Sequence, residues 1–227
     1  MIKIENVDYY GFDAALRGMR NPLNSWEKSD SQIDGFGCVN IGANDYKLME
    51  KLVKAGTDHS KFMRMITVTM DITAPLYWWK EFDTYKVGTV RNSCSTMHTI
   101  HKREFTLDDF SHECLEDMGS MTIPYTDNLN YIVNAKFALE STINVLNCLR
   151  ENYIGTNDKK YWCQIIQLLP SSYNQRATVQ MNYAVLRNMY HSRKNHKLDE
   201  WRQFCEWVHS LPVSELITDN FGGSESE

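Results

Sequence analysis

The first cluster in these 227 residues able to do chemistry is His98-x-x-His101, with Cys94 just upstream and His112 and Cys114 a short way downstream. Imidazole and thiolate both ligate zinc. A structural zinc site uses tight ligand pairs at both ends of a loop, however, and no second pair completes this one. A Cys/His hydrolase would need a third group to orient its base, and none is legible. The acidic pairs Asp108-Asp109 and Glu116-Asp117 fall in a polar stretch and read as solvated faces. Glycine signatures of the GxGxxG or GxxxxGK[ST] kind are absent, so neither a Rossmann nor a P-loop reading is supported. Met63, Met65 and Met70 read as core.

Two basic segments survive. From Lys80 to Phe105 there are five basic residues against three acidic ones, and from Arg187 to Lys197 four basic residues, two histidines and no acid. The whole chain has the opposite sign, 24 Lys+Arg against 29 Asp+Glu, a formal charge of −5. A polymeric nucleic acid requires a basic field over a whole face, which this balance disfavours. Local cations beside small polar residues suit a small phosphorylated ligand instead. The two segments therefore predict a nucleotide pocket.

The elements that must hold these segments follow from periodicity. Asn44-Asp45 precede YKLMEKLVKAG, where Leu48, Met49, Leu52 and Val53 share a helical face and Gly56 can close the helix. Ile66, Val68, Met70 and Ile72 alternate with polar neighbours, the period of a half-buried strand. Thr73 is a possible cap and Pro75 a first-turn residue for a helix over LYWWKEFDTY to about Tyr85. KVGTVRNSCSTMHTIHKREF reads as an ordered loop. A long amphipathic helix is predicted from near Asn128 to Asn152, and a second from about Lys159 to Leu169, broken by Pro170. ATVQMNYAVLRNMYHSRKNHK is helix-periodic in its second half. DEWRQFCEWVHSLP then puts Trp201, Phe204, Cys205 and Val208 on one stripe with Pro212 as its stop.

Hydrophobic content of 42% and aromatic content of 12% are enough for a core. With only 5 Pro, 11 Gly and no repeat, one domain over residues 1–218 and a disordered tail over 219–227 are expected. No run approaches the roughly 20 apolar residues of a membrane span, and the start lacks a signal peptide's order. The expectation is a soluble, cytoplasmic protein whose six cysteines are reduced.

In the order of its elements and in its motifs the chain resembles the flavin-dependent thymidylate synthases, the ThyX family, over nearly its whole length. The family signature RHRxxSxNExSxRY falls on TYKVGTVRNSCSTM, Thr84 to Met97. Lys86 keeps the charge of the second arginine, Thr89 keeps a hydroxyl, and Cys94 or Ser95 stands where a serine binds substrate phosphate. Thr84-Tyr85 replace the first Arg-His, Arg91-Asn92 the Asn-Glu pair, and Thr96-Met97 the last Arg-Tyr. The family helix VNARSLxNFLxLR and its tryptophan segment are similar to MNYAVLRNMYHSR and DEWRQF, which places Asn182, Asn188, Arg193 and Trp201 on matching positions. Met65 stands in place of a family histidine, and Ile166, with Gln167 next to it, in place of an arginine.

The resemblance implies an α+β fold in a single domain, with a central, mostly antiparallel sheet flanked by long helices, assembled as a homotetramer. The implied reaction is methylation of dUMP at C5, with methylenetetrahydrofolate giving the carbon and FAD relaying hydride from NADPH. Lys86, Thr89, Arg91, Asn92, Asn182 and Asn188 would then bind cofactor. Glu81, Cys94, Ser95, Gln167 and Arg193 would bind substrate, Arg193 also stabilising charge fed into the ring. Cys94 beside Lys86 and Arg91 suggests a thiolate that adds to C6 of the pyrimidine. A nucleotide-binding homologue that has lost its flavin is the alternative.

Overall fold

The computed structural model describes residues 1–33, 39–115, 121–124 and 130–221. The Glu116-Asp117 pair, the helix start at Asn128 and the tail beyond Phe221 lie outside them. In chain order the elements are β1 (Lys3–Tyr10), α1 (Phe12–Arg20), β2 (Gln32–Ile33), β3 (Val39–Asn40), α2 (Ala43–Lys54), β4 (Thr67–Pro75), α3 (Leu76–Phe82), β5 (Thr89–Ser93), α4 (Thr96–Thr99), β6 (Met121–Pro124), β7 (Asn130–Val133), α5 (Ala135–Thr156), α6 (Lys159–Leu168), β8 (Asn174–Asn182), α7 (Tyr183–Arg193), α8 (Asp199–Val208) and α9 (Glu215–Thr218). The class is α+β, with an antiparallel sheet among helices. The largest sheet has the order β1-β4-β8-β5, and β2-β3 and β6-β7 form two small antiparallel ribbons.

The chain divides into two compact units, one of residues 2–72, 81–92 and 177–227, the other of residues 1, 73–80 and 93–176. In the first, the period-two reading of β4 holds: Ile66, Val68, Met70 and Ile72 are fully buried, as are Val179 and Met181 of β8. Helix α7 packs against α8 and α9, contributing Leu186 and Met189 to a core that receives Trp201, Phe204 and Val208 from α8. Gly11 turns the chain from β1 into α1 with φ +91°, and a Cβ there would stand 2.0 Å from the Met65 carbonyl oxygen, so no other residue fits. A buried ion pair ties α1 to α2. Arg20 Nε donates to Asp45 Oδ1 at 2.6 Å, while Asp45 Oδ2 accepts from both hydroxyls and backbone amides of the Ser29–Ser31 loop.

The second unit has its own apolar cluster, Ile100, Phe105, Phe110, Leu139, Ile143, Leu146 and Ile165, gathered under the α5–α6 pair. Asn147 of α5 fastens the preceding loop to it by bonding both the N–H and the carbonyl of Phe105, at 2.8 and 2.9 Å.

Four boundaries differ from the expectation. Alternating burial continues through Ala74, so β4 runs to Pro75 and the next helix covers only Leu76 to Phe82. Proline at a strand end costs no ladder bond. Residues Thr89 to Ser93 are a strand, not a loop; β5 lies at the end of the sheet order, where a polar, exposed strand is tolerated. Helix α5 begins at Ala135, because Asn134 caps it by accepting the Phe137 N–H at 2.6 Å. The segment before α7 is strand β8, its buried residues alternating until Asn182.

Candidate functional site

The site is built around α7. Asn182 ends β8 and caps the helix, its side-chain oxygen accepting the Val185 N–H at 3.0 Å. Arg193 is the helix's last residue, where a cation is favoured by the exposed carbonyls. Its guanidinium is held on three sides: Nε donates to the Tyr85 hydroxyl at 2.9 Å, Nη1 donates to Glu81 Oε2 at 2.7 Å, and the group lies 4.8 Å from the Trp201 ring centroid. Glu81 Oε2 also accepts the Trp201 indole N–H at 3.0 Å, with His196 Nε2 3.4 Å away. Arg193 and Glu81 are part-buried, 18% and 34% exposed, so the pair is neither screened like a surface bridge nor sealed from a ligand. Arg193 Nη2 donates to nothing among the described residues, which leaves its N–H donors for an incoming oxygen or ring nitrogen.

The loop into β5 supplies the other groups. Gly88 has φ +79° and closes on α7, where a Cβ would meet Asn182 Nδ2 and Val185 Cγ2 at 3.1 Å. The Thr89 hydroxyl is buried and has no hydrogen bond among the described residues. Lys86 and Asn92 are exposed, as is Asn188 on α7. Lys86 forms no ion pair among the described residues, whereas Arg91 reaches Asp83 at 2.7 Å. The arginines of the two basic segments are thus partly neutralised. Arg193 pairs with Glu81, Arg91 with Asp83, and Arg187 with Asp219 at 2.6 Å.

Burial sets the titration of the residues around α7. It pushes the Cys205 thiol up to about 11, against the opposing Arg193 and Lys194 charges. It also pushes the Tyr183 phenol far up, its hydroxyl donating to the Pro212 carbonyl at 2.6 Å. His191 is pushed down, chiefly by burial, although Asp219 Oδ2 at 3.0 Å pulls the other way.

Glu81, Lys86, Thr89, Arg91, Asn92, Asn182, Asn188 and Arg193 therefore belong to one unit, while Cys94, Ser95 and Gln167 belong to the other. Cys94 is exposed; its N–H donates to the Arg176 carbonyl at 2.9 Å and its own carbonyl accepts from Gln175 Nε2 at 2.8 Å. It lines a cleft of about 310 Å³ with Thr96, Arg103, Tyr173 and Asn174, whose buried Oδ1 has no hydrogen bond among the described residues. Ser95 caps α4 by accepting the His98 N–H at 3.3 Å, and Gln167 is exposed on α6. His98 and His101 line a separate open cleft beside Tyr153 and Trp162. Among the described residues no three His, Cys, Asp or Glu side chains cluster as a metal site. Tyr85 and His196 are the site residues that sequence reasoning passes over. Arg193 lies 108 residues from Tyr85 in sequence, so no local signal joins the two.

No protein-family model matches the sequence, and no characterised protein's sequence matches it. Solved structures do. Flavin-dependent thymidylate synthase ThyX from Helicobacter pylori, complexed with FAD and dUMP, is 18% identical with a TM-score of 0.66, covering 96% of this chain and 98% of that one. The UMP/dUMP methylase PolB from Streptomyces cacaoi, bound with 5-Br dUMP, is 16% identical with a TM-score of 0.59, covering 98% and 96%. At such identities the likeness establishes a common fold.

Proposed function

We propose that this chain, which has the fold of the flavin-dependent thymidylate synthases, transfers a one-carbon unit to C5 of a pyrimidine nucleotide. The reaction is methylation of dUMP with methylenetetrahydrofolate as carbon donor and NADPH as reductant, in a homotetramer. The observation that carries this reading is the clasp on Arg193: an arginine oriented by Tyr85, Glu81 and Trp201, with donors left over. A pyrimidine C5 is a weak nucleophile until charge enters the ring, and a fixed guanidinium against the ring oxygens stabilises that charge without reorganising. Lys86, exposed and without an ion pair among the described residues, is a cation available to a phosphate.

The flavin fits the same unit. The orphaned Thr89 hydroxyl is a buried polar group lacking a partner, and Gly88 leaves room that a side chain would fill. Thr89, Arg91, Asn92, Asn182 and Asn188 would hold FAD, which when bound supplies the hydride step. The protein's own share is to bind, orient and keep the base beside Arg193. The pairing of Arg91 with Asp83 favours a second reading, a nucleotide-binding homologue without flavin.

One measurement separates the two. Purified protein with a flavin absorbance, releasing FAD on denaturation, supports the enzyme. Colourless protein that FAD does not stabilise against heat refutes it and leaves the binding reading.

A further inference from the structure

The His98-x-x-His101 pair takes no part in the chemistry proposed for α7, yet it opens onto a cleft of its own. We propose that this cleft, in the unit that holds α5 and α6, is a second binding site, for a planar heteroaromatic ring carrying an anionic arm. Its volume is about 570 Å³, within the range of roughly 300–1,000 Å³ that small-molecule pockets occupy. His98, His101, Tyr153 and Trp162 line it together with Asn157 and Lys159. The rings are held in place. Trp162 packs against the apolar cluster of Ile100, Leu146 and Ile165, and Tyr153 meets His101 edge to face, centroids 5.0 Å apart at 78°. The His101 carbonyl accepts from Arg150 Nε at 3.0 Å, which ties the histidine to α5. Asn157, at φ +54°, closes that helix by donating its N–H to the Tyr153 carbonyl at 2.7 Å. A cleft built this way needs little ordering to receive a ligand.

The lining selects the chemistry. Aromatic side chains, histidine included, take flat heterocycles by stacking. His101 Nδ1 is buried and has no hydrogen bond among the described residues, so a polar atom on the ring edge would complete it. Lys159 is exposed and forms no ion pair among the described residues, Asp158 being taken by Lys160 at 3.1 Å. No acidic side chain lines the cleft. An aromatic cage for a cation would not carry a lysine, and two histidines without a third ligand do not make a metal site. What fits is an aromatic anion, and its two common sources are a purine nucleotide and a folate with its pteridine and carboxylates.

The test is calorimetric titration of the full chain with AMP and with folic acid, beside adenosine, which keeps a ring and lacks the anion. At least one of the two anions should bind, and more weakly at high salt because its charge meets an exposed lysine. Lys159→Ala should weaken that binding about tenfold. Trp162→Leu, which removes a stacking surface, should weaken it by roughly 5- to 150-fold. AMP as the stronger ligand names the purine nucleotide, with adenosine bound by the native chain about as weakly as AMP is by Lys159→Ala; folic acid as the stronger names the folate. Binding of neither overturns the proposal. So does binding that Arg193→Ala abolishes and Lys159→Ala leaves unchanged, which puts the ligand at α7. Should Trp162→Leu fail to fold, the exposed Lys159 variant decides. Because Lys159→Ala should leave dUMP affinity unchanged, the fate of this cleft and that of the Arg193 site are read separately.

Discussion

Arg193→Ala is the sharpest test of the site. The substitution removes the Nη2 donor of the proposed base contact and deletes the partner of Glu81 Oε2 at 2.7 Å. A hydrogen bond from a charged donor contributes about 1.5–3 kcal/mol, so dUMP affinity should fall by roughly 10- to 150-fold. The effect on folding should be far smaller. The pair is only part-buried and Glu81 Oε2 keeps the Trp201 indole N–H when Arg193 is gone, so the cost should be about 1 kcal/mol and the melting midpoint should move by about 2–4 °C. Arg193→Lys keeps the charge, but an ammonium cannot serve Tyr85, Glu81 and a base edge in one plane; it should recover only part of the loss. Calorimetry for affinity and a thermal melt for folding read the two effects separately. Unchanged nucleotide affinity in a folded Arg193→Ala protein would refute the placement of the pocket.

Other substitutions test the scaffold. Asp45→Ala strands Arg20, 4% exposed, without its counter-charge; a loss of about 3–5 kcal/mol should appear in denaturant unfolding. Gly88→Ala forces an L side chain to φ +79°, costing about 1–2 kcal/mol and pressing on Asn182, so FAD stabilisation should weaken more than nucleotide binding. Cys205, buried and raised from 9.0 to about 11, binds its proton more tightly folded than unfolded. Its contribution, about 2–3 kcal/mol, is present below pH 9 and lost as pH rises towards 11. Cys205→Ala should flatten that alkaline loss in unfolding measured from pH 8 to 11.

Much of this architecture is written in periodicity. The strand Ile66 to Ile72 and the helices around Leu48, Leu186 and Trp201 each bury one face, so pattern and packing agree. β1 escapes notice because none of its residues is fully buried. β5 escapes because, at the end of the sheet order, its polar and exposed residues carry no apolar alternation. β7 hides because its short apolar run merges with the helical period of α5, and only the cap at Asn134 separates them. The site shows the same limit. Arg193, Asn182 and Glu81 are legible from motif and charge, but the clasp joins residues 108 and 112 apart in sequence. The net positive charge of Arg187 to Lys197 is reduced by partners that no local window shows: Asp219, which pairs with Arg187, lies 32 residues further along the chain.

Asn182 caps α7 and Arg193 ends it, so one 11-residue helix is the ruler between the proposed cofactor end and the proposed base end of the site. At about 1.5 Å per residue its ends stand roughly 16 Å apart. A single residue inserted between them would turn Arg193 through about 100° and out of the Tyr85–Glu81–Trp201 clasp, leaving every other side chain intact. Point changes along the exposed face of α7, Asn188 apart, should therefore be tolerated in a way that a change of its length is not.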